Sequence, residues 1–179
     1  MNNPYQRQKQ SEIVIATLIE NATKIILEKG IEKTSLQAIA DASDITKGGL
    51  LHHFPNKMAL LEAVYLKTIK DFESEIDTLF AQDSNEKGSF TRAYIRSSIN
   101  GLRNNIPQQQ IISAMLNTPG LSHLWNQWLE EKLTLYQEHT LELELIRLAT
   151  DGLWFNALAG ISLHKLTEIE RYLIDKTQS

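Results

Sequence analysis

The chain is 179 residues long, 42 % hydrophobic and 22 % charged, which are the proportions of a folded globular protein rather than a disordered one. It contains no cysteine, and this excludes disulfides, thiolate metal sites and cysteine nucleophiles. The net charge of −4 is spread unevenly: residues 1–57 carry seven Lys/Arg against six Asp/Glu, and residues 58–179 carry eleven against sixteen. A weakly basic first third ahead of an acidic remainder agrees with a nucleic-acid face confined to the N-terminal part. Met1 to Ser11 is polar, without the apolar core of a signal peptide, and no run approaches the roughly 18 apolar residues that span a bilayer. A soluble, cytoplasmic protein with no membrane partner is expected.

Alternation typical of strands is nearly absent, and helical spacing dominates. From Glu12 to Lys29, the residues Ile15, Leu18, Ile19, Ala22, Ile25 and Ile26 form one stripe, and Gly30 is expected to stop that helix. Thr34 with Gln37 has the spacing of a capping box and opens a short helix ending near Ala42. Another short helix is expected from about Thr46 to Phe54, closed by Pro55. Asn56 then caps a long fourth helix carrying Leu60, Leu61, Val64, Ile69, Phe72, Ile76, Leu79 and Phe80. Further helices are expected at about 90–104, 108–117, 120–138, 141–165 and 168–177. Pro107 and Pro119 fit first-turn positions, and Thr167 with Glu170 repeats the capping-box spacing. Asp151-Gly152 is a turn cue, but the apolar pattern from Leu145 to Leu158 runs through it, so one helix is expected, with Gly152 admitting a neighbouring backbone.

Two short helices joined by a tight turn and braced by a longer one make a helix-turn-helix, whose second helix enters the major groove of DNA. Its segment here is Thr46-Lys47-Gly48-Gly49-Leu50-Leu51-His52-His53-Phe54. The paired glycines fit a first helical turn that approaches DNA closely and offers N–H groups to phosphate. They fit a loop equally well. His52 and His53 cannot chelate one metal ion together, because neighbours on a helix diverge by about 100°.

The run TSLQAIADASDITKGGLLHHFPNKMALL, Thr34 to Leu61, resembles the DNA-binding signature of the tetracycline-repressor (TetR) family, and the similarity extends over about residues 13–65. Ala149 to Trp154 also resembles a stretch in the C-terminal halves of some members. The resemblance implies an all-α fold: an N-terminal three-helix helix-turn-helix domain (1–56), joined by a long fourth helix to a C-terminal ligand-binding and dimerisation domain (57–179). It implies that Ser35, Gln37, Thr46, Lys47, Gly48, Gly49, Leu51, His52, His53 and Lys57 face DNA, with Lys57 on phosphate. Ile39, Ala40, Ile45, Leu50 and Phe54 match core positions. Gly49 stands where threonine is frequent and Leu51 where tyrosine is usual, so two common groove-facing side chains are replaced.

In the second half, Phe72, Phe90, Tyr94, Met115, Trp125, Trp128 and Phe155 are the expected ligand-binding residues, with Asn100, Arg103, His123 and Asn126 as polar anchors; ordinary core packing fits the same aromatics. The last two helices, about 145–176, are expected to pair two subunits through Leu148, Gly152, Phe155, Ala159, Ile161, Leu163, Ile169, Leu173 and Ile174. No nucleophile elbow, phosphate loop, dinucleotide fingerprint or zinc-helix motif occurs, so neither an enzyme nor a cofactor is expected. The expected function is a dimeric repressor that holds a palindromic operator in double-stranded DNA and is released by a small-molecule inducer. An activator, or a helical adaptor that has lost DNA binding, uses the same fold.

Overall fold

A computed structural model describes residues 4–83, 87–104 and 107–178, with nothing stated of the side chains of residues 4–7. Among these residues there are nine helices and no strand: α1 Pro4–Lys33, α2 Leu36–Ala42, α3 Lys47–His53, α4 Lys57–Phe80, α5 Ser89–Asn104, α6 Gln108–Leu116, α7 Ser122–Tyr136, α8 Leu141–Leu158 and α9 Leu166–Lys176.

The expected order of helices is present, and the differences trace to particular residues. The first helix begins at Pro4 rather than Glu12, so residues 4–11 are helical. It breaks at Gly30, whose φ of 80° suits a residue without Cβ, and then adds one more turn. Ser35, not Thr34, caps α2: Ser35 Oγ accepts from Ala38 N at 3.1 Å, while Thr34 Oγ1 donates to Gly30 O at 2.8 Å. Gln37, expected to complete the capping box, donates instead to Asp41 Oδ1. The cap at Asn56 forms as expected, accepting from Ala59 N, and Thr46, expected inside the third helix, caps it instead by accepting from Gly49 N. Thr167 and Glu170 do not cap α9, because Arg103 of α5 donates to both. Pro107 directly precedes α6, whereas Pro119 lies in the turn before α7.

The eighth helix stops at Leu158, seven residues short of the expected end. Gly160 takes φ 74°, and the chain leaves the helix axis there although the apolar pattern continues. Asp151-Gly152 lies within α8, as the longer pattern requires. No atom lies within 4 Å of a Cβ built on Gly152, so within one chain it admits no neighbouring backbone. Gly101 instead makes room for a side chain: a Cβ there would meet the buried Gln109 amide, which donates to Ser98 O at 2.8 Å.

One apolar cluster runs from Leu18, Ile26, Ile39 and Leu50 through Leu61, Tyr65 and Phe72 of α4 into Phe90, Met115, Trp128 and Trp154. The long α4 therefore shares its buried face with both halves of the chain. A second cluster packs Ile95 and Ile99 of α5 against Leu143, Ile146 and Leu153 of α8 and Leu173 of α9.

Candidate nucleic-acid interface and sensor core

The reading unit is held from within. Leu50 of α3 is fully buried against Ile39 and Ala40 of α2, and Phe54 closes the same core. The turn between the helices uses Asp44 in the left-handed region (φ 53°), and Ile45 N donates back to Ala40 O. Asn21 of α1 donates to Ala42 O and to Ser43 Oγ, both at 3.0 Å, which braces the turn. With Leu50 inward, the other face of α3 is left to solvent: Lys47, Gly48, His52 and the Leu51 side chain, 38 % exposed, lie on it.

Gly48 and Gly49 are helical, which resolves the helix-or-loop alternative. The nearest atom to a Cβ on Gly48 is Thr46 Oγ1 at 3.9 Å, so packing within the chain does not require the glycine. Ser35, Gln37 and Thr46 are exposed, and His53 is half-buried with its ring against that of His52. Gln37, Thr46 and Lys47 share a concave patch with Asp41, Asp44 and Ile45. The two carboxylates, absent from the expected set, temper the positive charge of this face. Lys57 is half-buried, and its Nζ donates to Ile31 O at 2.6 Å, leaving two of the three ammonium protons for another acceptor.

In the second half, Phe72, Phe90, Tyr94, Met115, Trp125 and Trp128 all enter the first cluster. Phe72 is the hub, with ring centroids 5.7–5.9 Å from Tyr94, Trp125, Trp128 and Trp154. Phe155 does not join them. It projects outward from α8 and is 73 % exposed, because the neighbouring Trp154 takes the inward face. The expected polar anchors also lie elsewhere: Asn100 donates to Glu75, Arg103 to Glu170, and His123 and Asn126 are exposed.

The polar complement of the aromatic core comes from other residues. Tyr94 donates to Asp151 Oδ1 at 2.5 Å. Burial pushes the Asp151 carboxyl up to about 6, with the Tyr94 bond and Arg147 opposing the shift, and burial pushes the Tyr94 phenol well above its ordinary range. Tyr65 Oη, Ser97 Oγ, Ser98 Oγ and Trp128 Nε1 are buried without a hydrogen-bond partner among the described residues. Beside them, Glu138 accepts from Phe90 N, Thr91 N and Thr91 Oγ1, stabilising the N-terminus of α5. Arg147 donates to Thr91 Oγ1 and Glu138 O, and burial holds it below the usual arginine range. No spacing signal marks Asp151 as part of this group, since Tyr94 lies 57 positions away.

A third feature lies on the outside. Leu145, Leu148, Phe155 and Leu158 of α8 are exposed on one side at steps that keep helical register, with Gly152 between them and Ile161 following. Ala159 is exposed with this face. The expected dimer residues on α9 turn away from it: Leu173 is buried in its own subunit, with Leu163, Ile169 and Ile174 packed alongside.

The fold is thus a small helix-turn-helix continuous with an aromatic-cored helical bundle. Residues 18–64 match the model for bacterial regulatory proteins of the tetR family, and residues 88–178 match that for tetracyclin repressor-like C-terminal domains. The chain belongs to the TetR family, a family of regulators rather than enzymes. It is 27 % identical over 114 residues to the transposon Tn10 TetC protein of Escherichia coli, a match taking in 63 % of this chain and 58 % of that protein. Its fold is similar to that of the multidrug binding protein EbrR complexed with malachite green (TM-score 0.74, 16 % identity, 90 % of this chain and 96 % of that one). It is also similar to AibR in complex with isovaleryl coenzyme A and operator DNA (TM-score 0.64, 20 % identity, 90 % and 96 %). Among the described residues, no helix is long and apolar enough to cross a membrane.

Proposed function

We propose that this protein is a cytoplasmic transcriptional repressor that holds a palindromic operator as a homodimer and releases it when a small molecule binds. The observation that carries this reading is the two-sided α3, with Leu50 sealed in the core and Lys47, Gly48, Leu51 and His52 turned outward. A helix fixed on one face and bare on the other is what insertion into a major groove requires. Lys47 and Lys57 take phosphates. Gly48 keeps the backbone close, and Leu51 packs on a thymine methyl where a phenol more often stands. Residues 1–56 read DNA, and residues 57–179 sense the ligand and pair the subunits.

The structural relatives support the two ligand classes: AibR is described with operator DNA and an acyl coenzyme A, and EbrR with malachite green. For this chain the inducer enters among Phe72, Phe90, Tyr94, Met115, Trp125 and Trp128, where Asp151 and the unpartnered Tyr65 and Trp128 groups supply polarity. Phe155, Leu148 and their neighbours on α8 pair two subunits, which sets two α3 helices on adjacent half-sites. A ligand that favours another tilt of α4 shifts the population to a spacing that no longer fits the operator.

The test is a fluorescence anisotropy titration of the promoter fragment upstream of the gene. Binding is expected to fall steeply with salt and to weaken when Lys47→Ala and Lys57→Ala are combined. Equal affinity of the double variant overturns the DNA assignment.

A further inference from the structure

A groove of about 790 Å³ lies where α1 meets α4 and α6, apart from the aromatic core. Its floor is aliphatic, made by Ile15, Ala16, Ile19 and Leu27 of α1, with Ile111 of α6 and the buried Thr68 of α4 completing it. None of its described lining residues is aromatic. The α1 wall repeats at steps of three and four from Glu12 to Leu27, so the groove follows about 22 Å of helix. This volume falls in the range of about 300–1,000 Å³ that accommodates a small molecule. A polypeptide helix of the same length, about 10 Å across, would occupy on the order of 1,700 Å³.

The rim has a sign. Glu12, Glu20 and Asp71 stand against Lys24 and Lys67. Both ammonium groups are already held, Lys24 by Glu20 at 2.8 Å and Lys67 by Asp71 at 2.5 Å. Glu12, at the open end of the stripe, accepts from the neutral amide of Gln8 at 3.3 Å. The apolar floor therefore ends beside a carboxylate whose charge no rim lysine offsets.

We infer that this groove binds an alkyl cation, its saturated chain along Ile15, Ile19 and Leu27 and its ammonium end at Glu12. The aliphatic lining selects a flexible chain over a flat aromatic dye, and the net negative rim selects against an anionic head. Such a ligand touches α1 of the reading unit together with α4 and α6, so it is placed to tie the two halves of the chain.

Calorimetric titration of the full chain with decyltrimethylammonium below its micelle concentration, beside decyl sulfate, tests the inference. One cation per chain is expected, bound more tightly than the sulfate. Ala16→Trp fills the groove from an exposed helical position and is expected to weaken the cation about tenfold or more. Glu12→Lys, also at an exposed position, is expected to weaken the cation and favour the sulfate, and it carries the test alone if the tryptophan variant loses its helical circular dichroism. No saturable binding to the unaltered chain, or affinities unchanged in the variants, overturns the assignment. The second outcome would place the cation in another site, such as the aromatic core.

Discussion

Lys57 Nζ donates to the carbonyl of Ile31 at 2.6 Å, tying the first residue of α4 to the turn that follows the break at Gly30. The same ammonium is therefore part of the fold as well as a proposed phosphate contact, whereas Lys47 is exposed. Lys57→Ala is expected to cost about 1–2 kcal/mol of stability, and Lys47→Ala to stay within about 0.5 kcal/mol of the unaltered chain. On DNA, each substitution is expected to lower the slope of log affinity against log salt by about 0.9. Urea unfolding combined with salt-dependent anisotropy separates the two roles of Lys57. A Lys57→Ala variant with unchanged stability would remove its structural part.

Glu138 is 2 % exposed and accepts three hydrogen bonds from the first turn of α5, with Arg147 Nη1 4.0 Å from Oε2. Truncation to alanine leaves a buried guanidinium short of a counter-charge and two amide donors short of an acceptor. The expected loss is about 3–5 kcal/mol, or roughly 6–20 °C in Tm. Glu138→Gln should fall between, because an amide cannot accept at both positions. A thermal melt of Glu138→Ala within 2 °C of the parent, below the roughly 6 °C expected, would contradict this account.

These buried polar contacts mark where sequence reasoning ends. The helix-turn-helix is legible because its determinants are local: the stripe of α1, the Asn56 cap, Pro55, and a run of family-like residues. Thr34-Ser35 presents two adjacent hydroxyls, and which one caps α2 depends on the break at Gly30 rather than on spacing. Apolar residues continue from Leu158 to Leu163, yet Gly160 turns the chain, leaving Ile161 exposed and returning Leu163 toward the second core. Trp154 and Phe155 are equally apolar, and only their angular position on α8 sends one into the core and the other to solvent. Asp151 and Glu170 owe their roles to Tyr94 and Arg103, partners more than fifty residues away that no local pattern connects.

Asp151 gives the stability a pH dependence. Its carboxyl is raised from 3.8 to about 6 in the folded chain, so between these values the folded state holds a proton that the unfolded state has lost. Stability contributed by the protonated form is complete below about pH 4 and is lost as pH rises to about 6. Allowing for the partial exposure of the carboxyl, the loss is about 1–3 kcal/mol. Asp151→Asn keeps an acceptor for Tyr94 and does not ionise. It is expected to be more stable than the parent by that amount at pH 7.5, with the difference closing by pH 4. Urea midpoints across this range check the sign, and an asparagine variant less stable at pH 7.5 reverses it.

The exposed face of α8 makes a prediction that needs no DNA. Phe155, with Leu145, Leu148, Leu158 and Ile161 around it, leaves a contiguous apolar surface on a helix whose opposite side, with Ile146, Leu153 and Trp154, is buried. Such surfaces on folded chains are covered by a partner. In the proposed twofold pairing, Phe155 meets the same face of a second subunit, and Gly152, open around its missing side chain, gives the partner room to approach. Phe155→Glu introduces a charge at the centre of that contact and is expected to weaken dimerisation by about 2–4 kcal/mol, roughly 30- to 1,000-fold. Because Phe155 makes little contact within its own chain, the variant monomer should keep its helical content. Sedimentation equilibrium reads the outcome directly. A Phe155→Glu chain that remains dimeric at the parent's concentration would move the interface off α8, and a monomeric parent would remove the palindromic operator from the proposal.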